Sequence, residues 1–390
     1  MTEKLFYKDP YIREAECEVE NILEKDSKYH VVLKSTPFYP EGGGQPSDLG
    51  SIDGLRVEYV YEEDDIIYHV MSEKLEKTVV NCLVDYDRRV DHVQQHSGEH
   101  LMSAAFYKLF GASNDGFHLG EEYVTIDILL KEITEEMIKK AEKEANSYVF
   151  RNEEVKTYFL SKEEAQKLPM RKAIKAEGNI RIVQMGENID FSSCCGTQVN
   201  RTGEVGIIKI TKWEKYKGMT RVYVKCGFRA LNDYMIKQDI VKELAKGFSV
   251  QESEILNKIK SQNEEIEMLK NQLSSLNSKI AVKEAENLLK NSKEGKFIIA
   301  EYSEYSFDFL EKIYDLLKDE KYILILTSLK DMRLLFSHNG SFDVQCGKIF
   351  KEKLKDFNGR GGGSPKRAQA NFSDEKLLRS FVAYLQESLK

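Results

Sequence analysis

The stretch Gln94-Gln95-His96-Ser97-Gly98-Glu99-His100-Leu101 is the part of the sequence around which the rest of the chain can be organised. Residues four apart share one face of a helix, so His96 and His100 would point the same way and could bind one metal ion. Further along the chain, the segment Cys194-Cys195-Gly196-Thr197-Gln198 supplies a thiol. The two segments together predict a metal centre built from residues that are distant in sequence.

The composition is that of a globular protein with several domains. The 390 residues include 41% hydrophobic and 32% charged residues and only six prolines, and the length suggests about two to four domains. Six dilute cysteines do not form a disulfide framework, and no apolar run is long enough to span a membrane. The N-terminus lacks the order of a signal peptide, so we expect a cytoplasmic protein. A net charge of -7 argues against a surface coated with basic residues, but it allows a local basic patch.

Residues 1–88 are expected to form a small β-barrel. Alternating or β-branched residues separated by turn signals predict strands at 15–22, 30–33, 51–57 and 66–70. Within this region, Gly42, Gly43 and Gly44 precede Gln45. Three glycines allow the backbone to approach a ligand closely, and Gln45 offers a donor and an acceptor. A surface turn is the alternative interpretation of this glycine run.

Residues 89–240 are expected to form an α+β domain. From Asp87 to about Phe110 the apolar spacing becomes helical, with Val93, Leu101 and Leu109 among the residues facing the core and the two histidines on an adjoining stripe. A second helix is predicted to begin at Thr134. Strands are expected around 124–129, 155–160, 180–184, 206–211 and 221–225.

Residues 241–293 are expected to form a helical arm. Isoleucines and leucines recur at two heptad positions from Ile255 to Ile280, which predicts a coiled coil or a helical hairpin. Gln262 is a polar residue in this seam.

Residues 294–390 are expected to form a separate α/β domain. From Lys348 to Ala370 the chain contains seven basic and two acidic residues, a local charge of about +5. The segment includes Arg360-Gly361-Gly362-Gly363 and then Lys366-Arg367, and a glycine-rich loop with flanking cations could bind phosphate through its backbone N–H groups.

These segments together resemble the editing part of alanyl-tRNA synthetase, and more closely its freestanding relatives of the long AlaX type. The resemblance rests on five segments in order, namely 38–45, 94–101, 117–120, 194–206 and 226–231. The tail, with Gly361 to Pro365 and Ala368-Gln369-Ala370, is similar to the DHH-associated domain that ends such proteins. The resemblance implies an editing domain of the threonyl/alanyl-tRNA synthetase type between the barrel and the arm.

The resemblance implies a trans-editing hydrolase that cleaves the ester of tRNA(Ala) wrongly charged with serine, with glycine as a second candidate. A pocket sized for alanine cannot strongly refuse a serine that only adds a hydroxyl, so a second site that binds this hydroxyl is needed. The resemblance also implies zinc as the cofactor. A full alanyl-tRNA synthetase is not expected, because the chain begins directly with the barrel and leaves no room for an adenylation domain.

The implied zinc ligands are His96, His100 and Cys194, but the fourth position departs from the family, which usually has histidine where this chain has Gln198. Three arrangements remain open. Water could occupy the fourth position, as in a catalytic zinc site; Gln198 could complete a weaker site; or Cys195 could substitute. Loss of metal binding is a fourth possibility.

Residue roles follow from the same resemblance. His96, His100 and Gln45 are the expected catalytic residues. The expected substrate-binding residues are Gly43, Gly44, Gln45, Thr197 and His118, and the expected tRNA-binding residues are Arg360, Gly361, Gly362, Gly363, Lys366 and Arg367.

The competing hypothesis is a tRNA-binding or dimerisation protein in which the changed fourth ligand has abolished hydrolysis. A homodimer through the coiled coil or through the C-terminal domain is expected.

Overall fold

The computed structural model describes residues 1–174, 178–292 and 296–389 of the chain. They divide into two compact units, Met1–Glu243 and Leu244–Lys390. The structure is a mixture of helices and sheets throughout, as the sequence predicts. The finer division into four domains stays a prediction, and its boundary at residues 293 and 294 lies outside the described residues. No described helix is both long enough and apolar enough to cross a membrane.

The first unit begins with a nearly closed antiparallel sheet of seven strands in the order β6-β5-β9-β2-β3-β8-β7. Its edge strands β6 and β7 are separated in the chain by Glu58 alone, so the sheet curves until its edges nearly meet. β1 and β4 form a separate parallel pair. The strands are β1 (Glu3–Lys4), β2 (Glu14–Lys25), β3 (Lys28–Leu33), β4 (Ser35–Thr36), β5 (Gly50–Ile52), β6 (Leu55–Val57), β7 (Tyr59–Glu63), β8 (Ile66–Met71) and β9 (Val79–Val84).

The rest of the first unit is organised around one helix, α1. A four-stranded sheet in the order β10-β11-β16-β15 and a three-stranded sheet in the order β12-β13-β14 accompany it. The elements are α1 (Tyr86–Phe110), β10 (Asn114–Leu119), β11 (Val124–Ile128), α2 (Glu135–Arg151), β12 (Val155–Leu160), α3 (Lys162–Ala165), β13 (Ile180–Met185), β14 (Asp190–Ser193), β15 (Ile208–Tyr216) and β16 (Met219–Cys226). The last helix, α4 (Gly227–Phe248), begins in this unit and ends after its boundary at Glu243.

The sequence of α1 explains where it begins, where it ends and how it is buried. The Asp85 side chain caps its first turn by accepting from the backbone N–H of Arg88, and Gly111 ends it in the left-handed conformation. Residues 92–106 are all buried. The prediction that Leu109 faces the core was wrong: it is 38% exposed, because the last turn extends beyond the core.

Polar residues of α1 attach it to its neighbours. Gln95 exchanges two hydrogen bonds with the backbone of Cys226, each 2.9 Å long, as a neighbouring strand would. Gln94 bonds the backbone of Glu204 and Phe228. Gly98 allows the helix to lie against β16, since a Cβ at this position would overlap the Cys226 sulfur. The helix is therefore held in one register against the sheet.

The second unit contains a long helix and a five-stranded sheet in the order β17-β18-β19-β21-β20. β17 and β18 are parallel and are connected through α6, whereas the other pairs are antiparallel. The elements are α5 (Ile255–Asn291), β17 (Phe297–Tyr302), α6 (Phe307–Leu317), β18 (Ile323–Ser328), β19 (Arg333–His338), α7 (Cys346–Lys353), β20 (Arg360–Gly363), β21 (Arg367–Asn371) and α8 (Glu375–Ser388).

Helix α5 includes the predicted heptads. Leu273 and Leu276 of the seam are more than half exposed, at 59% and 56%. A single helix with an exposed apolar seam is what a coiled coil would need, and the arm as a coiled coil or a helical hairpin stays a prediction.

A buried ion pair connects the barrel to α1. Arg89 and Asp48 are both fully buried, and the guanidinium donates to both carboxylate oxygens. We expect Asp48→Asn to lower the free energy of unfolding by about 3–5 kcal/mol, because it leaves the Arg89 charge buried without its partner. Urea denaturation of the full chain measures this. Glu132→Gln is the matched control, since it removes a carboxylate from the exposed pair with Lys215 and should change little; equal effects would contradict the expectation.

His69 predicts a pH dependence of stability. Burial lowers its pKa from 6.5 to about 4, so between these values the unfolded chain binds a proton at residue 69 that the folded chain does not. Stability is therefore lost as the pH falls through this window, by roughly 3 kcal/mol. We expect urea denaturation of His69→Gln at pH 6.5 and pH 4 to show a smaller loss than the unsubstituted chain. The control is His118→Gln, at an exposed histidine, and identical pH dependence in all three proteins would refute the assignment.

Candidate metal centre

The structure brings together three of the predicted ligands. One nitrogen each of His96 and His100 and the sulfur of Cys194 lie within 4.8 Å of one another. The two histidines are one turn apart on α1 and their rings are stacked, with centroids 5.5 Å apart. Cys194 directly follows β14, and its sulfur lies 3.3 Å from Nε2 of His96. Two imidazoles and one thiol at this separation could hold a metal ion.

The outer nitrogen of His96 is held by Gln45. Nδ1 of His96 lies 2.8 Å from Oε1 of Gln45, which also accepts from the backbone N–H of Thr197 at 3.1 Å. The Gln45 amide nitrogen donates to Oγ1 of Thr197 at 2.9 Å, which identifies Oε1 as the acceptor facing the histidine. Nδ1 of His96 therefore donates to Gln45, and this hydrogen bond orients Nε2 towards the Cys194 sulfur.

The outer nitrogen of His100 is held by Asp190, a residue of β14. Nδ1 lies 2.9 Å from the Asp190 carboxylate, which also accepts from Arg171 at 2.9 Å and from Ser192 at 2.6 Å. A carboxylate behind the outer nitrogen is the usual support of a metal-binding histidine. Asp190 and Arg171 are not among the residues predicted from the sequence. The one feature of the sequence that could have pointed to Asp190 is its position as an acidic residue at the start of the strand that leads to Cys194.

The electrostatics favour a thiolate. Burial raises the pKa of Cys194, but the adjacent His96 and His100 outweigh this effect and bring the pKa well below its ordinary value. Burial lowers the pKa of His100, whereas the hydrogen bonds to Asp190 and Cys194 raise it to about 10. Without a bound metal, a proton on the His100 imidazole balances the negative charge of the Cys194 thiolate. A divalent cation would replace that proton and be bound by the deprotonated ligands.

Gln198 has its amide nitrogen towards the sulfur. Its Oε1 accepts from the Ser97 hydroxyl at 2.7 Å, and its Nε2 lies 3.6 Å from the Cys194 sulfur. Ser97 also accepts from the backbone N–H of Val199 at 3.0 Å, so its own hydrogen is available for Gln198. In this orientation Gln198 is a donor to the thiolate. The sulfur of Cys195 is not part of the ligand cluster.

The loop that carries Cys194 can pack against α1 because of Gly196. A Cβ at Gly196 would overlap the His96 ring and approach Oε1 of Gln45 to 2.8 Å. Arg181 of β13 holds the same loop by donating to the carbonyls of Cys194 and Gly196, at 2.8 and 2.9 Å. The position of the thiol therefore depends on a close backbone approach that only glycine permits.

The predicted substrate-binding residues fall into two groups. Gly43 and Gly44 are exposed, as residues that receive a ligand would be, whereas Gln45 and Thr197 are each 1% exposed and bonded to each other. His118 is exposed on β10. Its neighbour Phe117, which was not among the predicted site residues, contacts the His96 ring with centroids 4.9 Å apart. Because side chains alternate along a strand, His118 points to the opposite face.

The predicted phosphate-binding loop of the second unit is a strand. Gly361, Gly362 and Gly363 pair with β21 in the edge strand β20, so the prediction of a glycine loop was wrong. Glycines carry no side chains and therefore give no alternation by which to recognise a strand. Arg367 pairs with Glu311, whereas Arg360 lines an open groove of about 1070 Å³ with Lys351 and Lys355. Lys366 is exposed.

Two sequence families match parts of the first unit. Residues 6–88 match the family described as tRNA synthetases class II (A), and residues 180–223 match the Threonyl and Alanyl tRNA synthetase second additional domain. The second match begins with β13 and includes Cys194 and Gln198.

Several proteins are similar to this chain over nearly all of its residues. The alanine–tRNA ligases of Methanobrevibacter smithii and Pyrococcus furiosus are 32% and 28% identical over 94% and 100% of the chain. The chain spans only 44% of each of these ligases. The alanyl-tRNA editing protein AlaX-L of Pyrococcus horikoshii is 30% identical, and the match covers 95% of the chain and 94% of that protein. The chain therefore belongs to the AlaX family of alanyl-tRNA editing proteins.

Proposed function

We propose that this protein is a trans-editing hydrolase that deacylates tRNA(Ala) carrying serine, with glycine as a second substrate, and that it uses zinc. The observation that supports the proposal most directly is the pair of histidines whose outer nitrogens are both occupied by acceptors. Both Nε2 atoms are then available beside one thiolate. The family of the chain supplies the substrate class, since a relative matched over 94% of its own length is an alanyl-tRNA editing protein.

Zinc is the metal that this donor set favours. Thiolate and imidazole are ligands of zinc, and three protein ligands leave a fourth position for water or substrate, as in catalytic sites. The Gln198 oxygen is engaged by Ser97, which supports the arrangement with His96, His100 and Cys194 as the three ligands. A zinc ion at this position would supply a Lewis acid for the ester carbonyl or for a water molecule.

The chain's own residues would keep this chemistry in place. Gln45 and Asp190 fix the tautomers and ring orientations of the two histidines, and both are almost fully buried. Gly43 and Gly44 are exposed, and Gly44 lies beside Phe117, so the amino acid would enter along this backbone. A polar site that bonds the serine hydroxyl would reject alanine, since alanine would leave its polar groups unpaired. The hydroxyl of Thr197, which accepts from Gln45, still has a hydrogen to donate.

The second unit would bind the body of the tRNA. The groove with Lys351, Lys355 and Arg360 carries positive charge without carboxylates among its lining residues. Phosphate contacts of this kind give affinity that falls with salt and does not depend on sequence.

The competing function is a tRNA-binding protein that has lost hydrolysis. The observation that favours it is Gln198, which stands where the family usually has histidine and donates to the Cys194 sulfur instead of offering a ligand nitrogen. The two functions differ in whether the metal-loaded protein cleaves the ester.

The assignment of the metal ligands predicts that one methyl group added at Gly196 reduces zinc binding. We expect the purified chain to contain about one zinc ion, and Gly196→Ala to lose most of it, because the added methyl displaces the Cys194 loop from His96. Gly116→Ala is the matched control, since a Cβ at Gly116 meets no atom within 4 Å. Metal content by mass spectrometry measures both, together with His96→Ala. Full zinc retention in Gly196→Ala and His96→Ala would refute the ligand assignment.

The function predicts selective deacylation. Metal-loaded protein is expected to hydrolyse serine-charged tRNA(Ala) at least about tenfold faster than alanine-charged tRNA(Ala), because one lost hydrogen bond to a buried site costs on this order. Release of the labelled amino acid measures both rates, with His96→Ala as the inactive control. Rates equal to those in buffer for both esters would instead support the tRNA-binding function.

A further inference from the structure

The open groove of the second unit contains more than positive charge. Besides Lys351, Lys355 and Arg360, its lining includes two carboxamides, Asn358 and Asn371, and several apolar side chains. Contacts to phosphate groups alone need only cations on an open surface. A concave site with an apolar floor and a few polar groups is instead typical of sites for small ligands or for unstacked bases.

The floor of the groove belongs to the hydrophobic core of the second unit. Phe350, Leu354 and Phe372 line the groove and are 1%, 3% and 7% exposed. Gly359 lets the backbone pass close to two of them, since a Cβ there would lie 2.6 Å from Leu354 and 2.8 Å from Phe372. Because these side chains are packed in the core, the floor is a fixed apolar surface against which a planar base can lie.

The three cations of the groove are unpaired. No ion pair is found for any of them within residues 1–174, 178–292 and 296–389. Two acidic residues that are near in sequence are engaged elsewhere: Asp356 is paired with Lys353 at 3.5 Å, and Asp374 caps the first turn of α8. The three positive charges are therefore available to an anion, and the planar fork of Arg360 suits a phosphate group.

The two asparagines can bind the edge of a base. Each carboxamide offers a donor and an acceptor, and neither has a hydrogen-bond partner in the part of the chain that the structure describes. Arg360 and Asn371 are opposite each other in β20 and β21, so their side chains leave the sheet about 5 Å apart. A phosphate at Arg360 and a base at Asn371 would therefore belong to the same nucleotide.

Resting on the tRNA binding proposed above, we propose that this groove holds one unpaired nucleotide of the tRNA. Its base lies on the apolar floor and bonds Asn358 and Asn371, and its phosphate binds the three cations. Helical RNA suits the groove less well, because its bases are stacked and paired, whereas the bases of loops are free to enter a pocket. The volume of about 1070 Å³ is at the upper end of the usual range for ligand sites, so one nucleotide fits.

Short RNAs with and without bases test the proposal. The zinc-loaded full chain is titrated with a fluorescently labelled single strand of mixed sequence, with the corresponding abasic strand, and with a duplex of the same length. Each carries a 3′-phosphate, so that none resembles the aminoacylated end of tRNA. The single strand is expected to bind about tenfold more tightly than the abasic strand, because contacts to one base contribute on this order, and more tightly than the duplex.

Variants of the two asparagines assign the contact to the base. Asn358 has a left-handed backbone, with φ of 52°, so Asn358→Gly removes the carboxamide without straining the turn. In Asn358→Gly combined with Asn371→Ala, the advantage of the single strand over the abasic strand is expected to fall several-fold. Asn271→Ala, at an exposed position of α5, is the matched control and should keep the full advantage.

A variant of one lysine assigns the contact to the phosphate. Lys355→Gln is expected to weaken binding of the single strand and of the abasic strand by the same factor, and to lower the slope of log affinity against log salt by about one. Lys330→Gln removes the same charge from the exposed turn between β18 and β19 and should change neither quantity.

Four results would overturn the assignment of the groove. They are equal binding of the single strand and the abasic strand, tighter binding of the duplex, an advantage of the bases that persists in the double asparagine variant, and displacement of the single strand by poly-glutamate at equal charge, which would assign the groove to an acidic peptide. Deacylation of serine-charged tRNA(Ala) is measured separately. A chain that deacylates without base-dependent binding would contradict the groove assignment alone, whereas base-dependent binding without deacylation would contradict the hydrolase function alone.

Discussion

The buried guanidinium of Arg89 is the constraint on which the rest of the first unit depends. Besides Asp48, it donates to the carbonyls of Pro10 and Pro37 at 3.0 and 2.6 Å. Taking such a charge out of water is costly unless its donors are satisfied, so the three partner segments must meet at one point. One of them leads directly into the loop that carries Gln45. Because Arg89 lies two turns before His96 on a rigid helix, this ion pair sets the position of Gln45 over the histidine.

Two chains of hydrogen-bonded side chains meet at the candidate metal centre. One runs from His96 through Gln45 to Thr197, and the other from His100 through Asp190 to Arg171. Both come from segments that also position Cys194, since Asp190 and Thr197 lie on either side of it. The same segments therefore set both the orientation of the two histidine rings and the position of the Cys194 thiol. A family member with Gln198 in place of histidine can keep the geometry because Ser97 and the sulfur hold this side chain.

Much of this arrangement was predictable from local pattern. The period of α1, the cap at Thr134 and the strands around the editing segment follow from spacing, and the structure contains the cluster of His96, His100 and Cys194. The roles of Asp190, Arg171 and Phe117 were not predictable, because they depend on which distant segments meet. Gln45 and Thr197 were assigned to the substrate; the structure shows them bonded to each other, and Gln45 is also bonded to His96. The glycines of β20 were taken for a loop because a strand without side chains shows no alternation.

The distribution of the ligands along the sequence has a consequence for synthesis of the protein. The histidines lie on α1, whereas the thiol that completes the cluster is almost a hundred positions later in the chain. A nascent chain that has emerged only as far as α2 exposes both histidines without the segment that covers them. Tight binding of a metal by this cluster would therefore be delayed until β14 and the Cys194 loop have left the ribosome, and a truncated product would carry an incomplete ligand set. The same separation makes metal content a test of whether a chain has been completed and has folded.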